Sequence, residues 1–150
     1  MFKKIRNSML FALVLAAALA TTASANIVLD LDTKEGDQNI RTKPVQPGDT
    51  IEIELIAQKG AQGIAGFEVV VKFDSQKFTY KDYQKGGLMA AAFPLPAAKT
   101  SDGVRISVGI LGGQSTQDSG SLCKIIFEAT SNVGTGGIIS VTEGSFGAAG

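Results

Sequence analysis

Apolar and polar residues alternate one by one through most of this chain, and a period of two marks strands with one buried face rather than helices. In residues 26–32, Ile27, Leu29 and Leu31 share one parity while Asp30 and Asp32 take the other. Residues 50–57 set Ile51, Ile53 and Leu55 against Glu52 and Glu54. Residues 64–74 set Phe67, Val69, Val71 and Phe73 against Glu68, Val70 and Lys72. A short run at 77–80 carries Phe78 and Tyr80. In 104–111, Val104, Ile106, Val108 and Ile110 oppose Arg105, Ser107 and Gly109. In 122–129, Cys123, Ile125, Phe127 and Ala129 oppose Lys124, Ile126 and Glu128, and 137–142 adds Ile139 and Val141. Between the runs lie stretches rich in Gly, Pro, Asn, Asp and Ser, such as Pro47-Gly48-Asp49, as tight turns require. Seven or more short runs, each with one apolar face, predict an all-β fold of two antiparallel sheets packed face to face. Residues 88–98 are ambiguous: Met89 to Phe93 suit one helical turn, but Pro94 and Pro96 forbid a long helix and suit a sheet edge.

The first 25 residues read differently. Lys3, Lys4 and Arg6 precede an uncharged apolar run at 9–20, and Ala23-Ser24-Ala25 supplies the small-x-small pattern of a cleavage site. This is the layout of a secretory signal, and the run is shorter than the roughly 20 apolar residues of a membrane span. The expected organisation is a signal peptide at 1–25 and one domain at 26–150, secreted to the extracellular space, the cell surface or the periplasm. No membrane span is expected after cleavage.

Composition then removes whole classes of chemistry. The three cations of the signal leave residues 26–150 with a net charge of −3, without the basic footprint of a nucleic-acid binder. The chain has no His, which removes Ser-His and Cys-His pairs and the commonest zinc ligand. It has no Trp, the best platform for a sugar ring or a cation. Cys123 is the only cysteine, so no intrachain disulfide forms, and its parity with Ile125 and Phe127 makes it a small buried hydrophobe. Asp30, Asp32, Glu35 and Asp37 begin like a calcium loop, but Lys34 occupies a ligand position and no Glu closes it. They read as a solvated edge that discourages strand pairing. Tyr80 and Tyr83 are candidates for sugar stacking or, more plainly, partly packed surface residues. The glycine-rich turns lack a G-K-[ST] sequence, and no carboxylate pair is placed for glycoside hydrolysis. No catalytic residue, metal site or cofactor is expected.

Several segments resemble one family. Ile64-Ala65-Gly66-Phe67 leading through Val69, Val70 and Val71 to Phe73-Asp74 resembles the third-strand signature of cohesin domains. Pro47-Gly48-Asp49-Thr50 matches that family's turn before the second strand, and Gly120-Ser121-Leu122-Cys123-Lys124-Ile125-Ile126-Phe127 resembles a strand near its end. The resemblance covers residues 26–150. It implies a jelly-roll sandwich of nine strands that binds a dockerin-like protein module and so tethers carbohydrate-active enzymes to a scaffold. Ser75 departs from the usual Pro after Asp74, and a single module rather than a multi-module scaffold is expected. The alternation breaks off after Val141, so the final strand that pairs with the first in this family is expected to be lacking. An open edge along 27–32 and a loose tail after Phe146 follow from that.

The resemblance also implies a docking surface, the sheet holding the third, fifth, sixth and eighth strands. Its outward residues are expected to be Glu68, Val70 and Lys72, then Arg105, Ser107 and Gly109, then Lys124, Ile126 and Glu128. Val70 and Ile126 would form an apolar centre, ringed by Glu68, Lys72, Lys124 and Glu128. The plainer reading is ordinary surface with charges paired across strands. Three functions stay open: a dockerin-recognising module, a carbohydrate-binding module contacting polysaccharide, and a structural or adhesive surface protein. Fold analogy alone does not choose among them. Mass spectrometry of the exported protein is expected to find Asn26 at its N-terminus, and an intact 1–25 segment would overturn the signal assignment.

Overall fold

The structure, a computed structural model, describes residues 26–32 and 34–148. Residues 1–25, where a signal peptide is expected, residue 33 and the last two residues lie outside the described residues. Nine strands are described: β1 Asn26–Asp30, β2 Thr50–Lys59, β3 Ile64–Phe73, β4 Phe78–Lys85, β5 Phe93–Pro94, β6 Ala98–Lys99, β7 Gly103–Gly109, β8 Gly120–Ala129 and β9 Ile139–Ala148. Single 3₁₀ turns at Gly87–Met89 and Ser131–Thr135 are the described helical elements. One sheet runs β1-β2-β8-β4 and the other β5-β7-β3-β9, with β6 also on β7. Every pairing is antiparallel, giving the expected jelly-roll sandwich. The ambiguous 88–98 segment divides as its prolines demand, a 3₁₀ turn followed by the two-residue edge strand that contains Pro94.

The core is the layer between the sheets. Phe67, Val69 and Val71 of β3 and Val104, Ile106 and Val108 of β7 meet Ile51, Ile53 and Leu55 of β2 and Cys123, Ile125 and Phe127 of β8. All are buried, as their parity requires. Phe73 is half-buried at the end of β3, where its ring meets Phe127 edge-on at 4.9 Å and 72°. Burial pushes the Cys123 thiol far above its ordinary pKa, with nearby Glu54 adding to the effect, so it packs as an apolar group. The turn before β2 has the geometry its residues specify. Asp49 N–H donates to Gln46 O at 3.1 Å across Pro47-Gly48, and Gly48 sits at φ 87°, which a type II turn requires at that position.

Two strands run past the point where their apolar alternation ends, each because of a β-bulge. In β4, Tyr80 faces Phe127 while Asp82 faces Ile126, leaving Lys81 as the extra residue. Inward parity passes from Phe78 and Tyr80 to Tyr83, so the strand continues to Lys85. In β9, Val141 faces Val71 and Glu143 faces Val70, leaving Thr142 extra. The apolar parity moves from Ile139 and Val141 to Gly144 and Phe146, and the strand reaches Ala148. The expected loose tail after Phe146 is therefore corrected. Gly147 and Ala148 belong to β9, which pairs with β3 rather than with β1. At Gly144 a Cβ would lie 3.0 Å from Ile27 Cδ1 of the opposite sheet, so a side chain there would require that methyl to give way by a few tenths of an ångström. Among the described residues β1 pairs with β2 alone as a strand, but Leu31 N–H donates to Ile40 O at 2.9 Å, so the edge expected to be open along 27–32 is met at its end by the chain's own loop.

The acidic segment after β1 is not a solvated edge throughout. Asp30 is 0% exposed and accepts N–H bonds from Asp32 at 2.8 Å and Gln38 at 2.5 Å, with Arg41 Nη1 at 3.4 Å. Glu54, on the outward parity of β2, is 1% exposed and accepts from Gly36 N–H at 3.1 Å. These carboxylates hold the loop between β1 and β2, satisfying backbone donors that a buried loop would otherwise strand. Farther out, Arg41 Nη2 reaches both oxygens of Asp37, at 2.9 and 3.1 Å. Burial opposes the charge on Asp37, but the Arg41 and Asn39 hydrogen bonds outweigh it and hold its carboxyl below the ordinary value.

Phe127→Ala should destabilise the domain by about 3–5 kcal/mol, the range for truncating a buried Phe, read from the shift in a denaturation midpoint. Arg41→Gln should cost about 1–2 kcal/mol near neutral pH, less than a fully buried pair because the guanidinium is partly exposed. Because Asp37 is depressed in the folded state, that difference should be complete above the ordinary carboxylate range. It should shrink as the pH falls through the lowered value, and a pH-independent difference would refute the pairing.

Candidate functional site

The two outer faces of the sandwich differ in kind. On the β1-β2-β8-β4 sheet, outward Val28, Asp30, Glu54 and Ile56 are buried, while Glu52, Lys124, Ile126 and Glu128 are partly exposed. On the β5-β7-β3-β9 sheet, outward Glu68, Lys72 and Arg105 stand exposed. Paired residues of antiparallel strands point to the same side, so the registers lay out the open face in rows. The first row is Phe93, Gly109, Gly66 and Gly147, a strip of bare backbone across three strands with a phenyl ring at its end. The second holds Ser107, Glu68 and Ser145, with Leu95 alongside, its N–H donating to Ser107 O at 3.2 Å. Arg105, Val70 and Glu143 follow, and then Gly103, Lys72 and Ser140.

Polar contacts tie the middle of this face together. Ser107 Oγ donates to Glu68 Oε2 at 3.0 Å, and Arg105 lies 3.7 Å from Glu68 and 4.0 Å from Glu143. Lys72 pairs with Asp102, whose carboxyl that lysine holds below its ordinary value. Such exposed pairs set the local charge pattern more than they stabilise the fold.

Of the expected docking residues, Glu68, Val70, Lys72, Arg105, Ser107 and Gly109 do share one face. Lys124, Ile126 and Glu128 do not. They lie on β8, between β2 and β4 in the opposite sheet, where Glu128 pairs with Lys81 at 3.0 Å. The outer strand beside β3 is β9, so Ser145 and Glu143 occupy the places expected of the β8 residues. The expected apolar centre of Val70 and Ile126 is corrected for the same reason. Val70 is also only 7% exposed, flanked in register by Arg105 and Glu143.

The exposed apolar residues on the open face are Phe93 at 63% and Leu95 at 54%, on and just after the edge strand β5. The motif Phe93-Pro94-Leu95-Pro96 carried a signal for them: prolines confine a strand to an edge, and alternate positions beside them share one face. Tyr83, one of the two stacking candidates, is used internally. Its ring is buried and its hydroxyl donates to Leu95 O. Tyr80 stays partly open. No group of three or more His, Cys, Asp or Glu side chains able to hold a metal ion occurs among the described residues.

No curated protein matches the chain. Among solved structures it is similar to a cohesin module of a family 33 glycoside hydrolase from Clostridium perfringens, with a TM-score of 0.61 at 16% identity over 85% of each chain. It is also similar to the sixth cohesin of Acetivibrio cellulolyticus scaffoldin B, solved with a Cel5 dockerin, with a TM-score of 0.55 at 17% identity over 69% of this chain and 79% of that one. A type I cohesin–dockerin complex from Clostridium thermocellum gives 0.51 at 21% identity over 69% and 77%. These likenesses establish the fold. The family model of the Cohesin domain matches residues 38–150, three quarters of the chain, and the protein belongs to the cohesin domain family.

Proposed function

We propose that this domain is a non-catalytic binding module that recognises a dockerin-like protein module through the outer face of the β5-β7-β3-β9 sheet. The observation that carries this reading is the asymmetry of the two faces. One buries Asp30 and Glu54, on β1 and β2, under the chain's own loop, while the other presents bare backbone, two exposed apolar side chains and a paired polar centre. Phe93 and Leu95 supply apolar anchors beside a flat strip, with Glu68, Arg105 and Lys72 as a polar surround, the composition of many protein interfaces. Two of the similar structures are complexes of cohesins with dockerins, which supports this class of partner.

The signal-like segment 1–25 supports export, and the described residues hold no helix long and apolar enough to cross a membrane. The similar module from Clostridium perfringens belongs to a glycoside hydrolase, which supports a setting of carbohydrate-active or cell-surface complexes.

Capture of purified dockerin modules by the secreted protein tests the reading. Phe93→Glu and Leu95→Glu, both at exposed positions, should each weaken capture by tenfold or more, the loss of about 1.4 kcal/mol or more of binding energy. The melting temperature should stay nearly unchanged. Glu128→Ala, on the opposite sheet, should bind as the parent does. Loss of capture in Glu128→Ala with retention in both Glu variants would move the site to the other face. Val70→Asp is a poor probe, since it would bury a charge and unfold the face it is meant to test.

A further inference from the structure

We propose that the cleft between β4 and the β6–β7 turn is a second binding site, which takes a single sugar ring. The cleft has a volume of about 290 Å³. That is near the lower end of the roughly 300–1,000 Å³ of small-molecule pockets, room for one ring rather than a long oligosaccharide. It lies where the edge of one sheet parts from the other, away from the outer face that carries the docking proposal, and does not depend on that proposal.

One wall is aromatic, made by the partly exposed rings of Phe73 and Tyr80 with the fully buried Phe78 beside them. Phe73 and Tyr80 each meet Phe127 in edge contacts, at 72° and 78°, and neither is stacked in parallel on another ring among the described residues. The wall therefore offers flat apolar surface of the kind that packs against the C–H face of a pyranose.

The other wall is hydroxylic. Thr100 lines the cleft, and its Oγ1 is buried with no hydrogen-bond partner among the described residues. A buried hydroxyl left unpaired is costly, and a turn about χ1 that brought it to the cleft surface would let a ligand hydroxyl remove the cost. The Tyr80 hydroxyl has no protein partner among the described residues either, in contrast to Tyr83. Burial, with the neighbouring Asp82 and Tyr83, pushes the Tyr80 phenol up to about 12, so it remains a donor at any working pH. Asp102 is paired with Lys72, and Lys99 is exposed, so no buried charge demands a counter-ion in the ligand. An aromatic wall that carries one unpaired hydroxyl, on Tyr80, and shares the cleft with that of Thr100, without buried charge, is matched by a neutral ring bearing several hydroxyls.

The test is an amide-resolved NMR titration of the secreted protein with methyl β-glucoside, methyl β-xyloside and N-acetylglucosamine, with cyclohexanol as an apolar ring of similar size. At least one of the sugars should give saturable shifts confined to residues 73–80 and 99–104. Thr100→Val and Tyr80→Phe, which remove only hydroxyls, should each weaken that binding by about threefold to tenfold. Unaltered melting temperatures will show that both variants fold. Absence of saturable shifts with all three sugars would overturn the proposal. So would unchanged affinity in both variants, or cyclohexanol binding more tightly than every sugar.

Discussion

Each long strand in this domain must present one face to a single apolar layer, and the rest of the structure depends on how that parity is kept. β2 and β8 on one side and β3 and β7 on the other supply most of the layer. Phe127 lies at 0% exposure within it, with Phe73 and Tyr80 edge-on at its margin. A sandwich cannot tolerate a one-residue slip, because a slip would exchange the core set for the surface set. Where the chain needs an extra residue, it takes it in a bulge, and parity resumes on the other count. Lys81 and Thr142 are such residues, and each lets an apolar side chain farther along, Tyr83 or Phe146, return to the core.

The same parity rule makes each sheet expose a second face, and the two faces have opposite fates. On one, Asp30 and Glu54 are drawn inward by the backbone donors of the loop between β1 and β2, which covers that end of the face. Two carboxylates that look like surface charges in the sequence thus act as anchors for main chain. On the other, three glycines in register leave the sheet bare, and Phe93 and Leu95 of the proline-bound edge stand beside it. The first face is covered by the chain's own loop at β1 and part of β2, whereas the second has no such cover over its glycine strip. That contrast is why the binding proposal rests on geometry as well as on family likeness.

What the sequence by itself determined is the local part: strand period, turn chemistry and the identity of the core. Ile51, Val69, Ile106 and Ile125 are inward because alternation leaves them no other place, and Pro47-Gly48 turns because Gly48 accepts a positive φ. The third-strand segment, the turn and the 120–127 strand were enough to point to the cohesin family, since their order along the chain is itself a sequence property. Only the tertiary structure decided which strands are neighbours. Lys124, Ile126 and Glu128 have the right parity for a surface but sit in the opposite sheet from Glu68 and Arg105, because β8 pairs with β2 and β4. Sheet membership arises from contacts between residues far apart in the chain, to which a period of two is blind. The burial of Asp30, the continuation of β4 and β9 past their bulges, and the meeting of Tyr80 with Thr100 across one cleft were decided in the same way, by long-range pairing that no local pattern encodes.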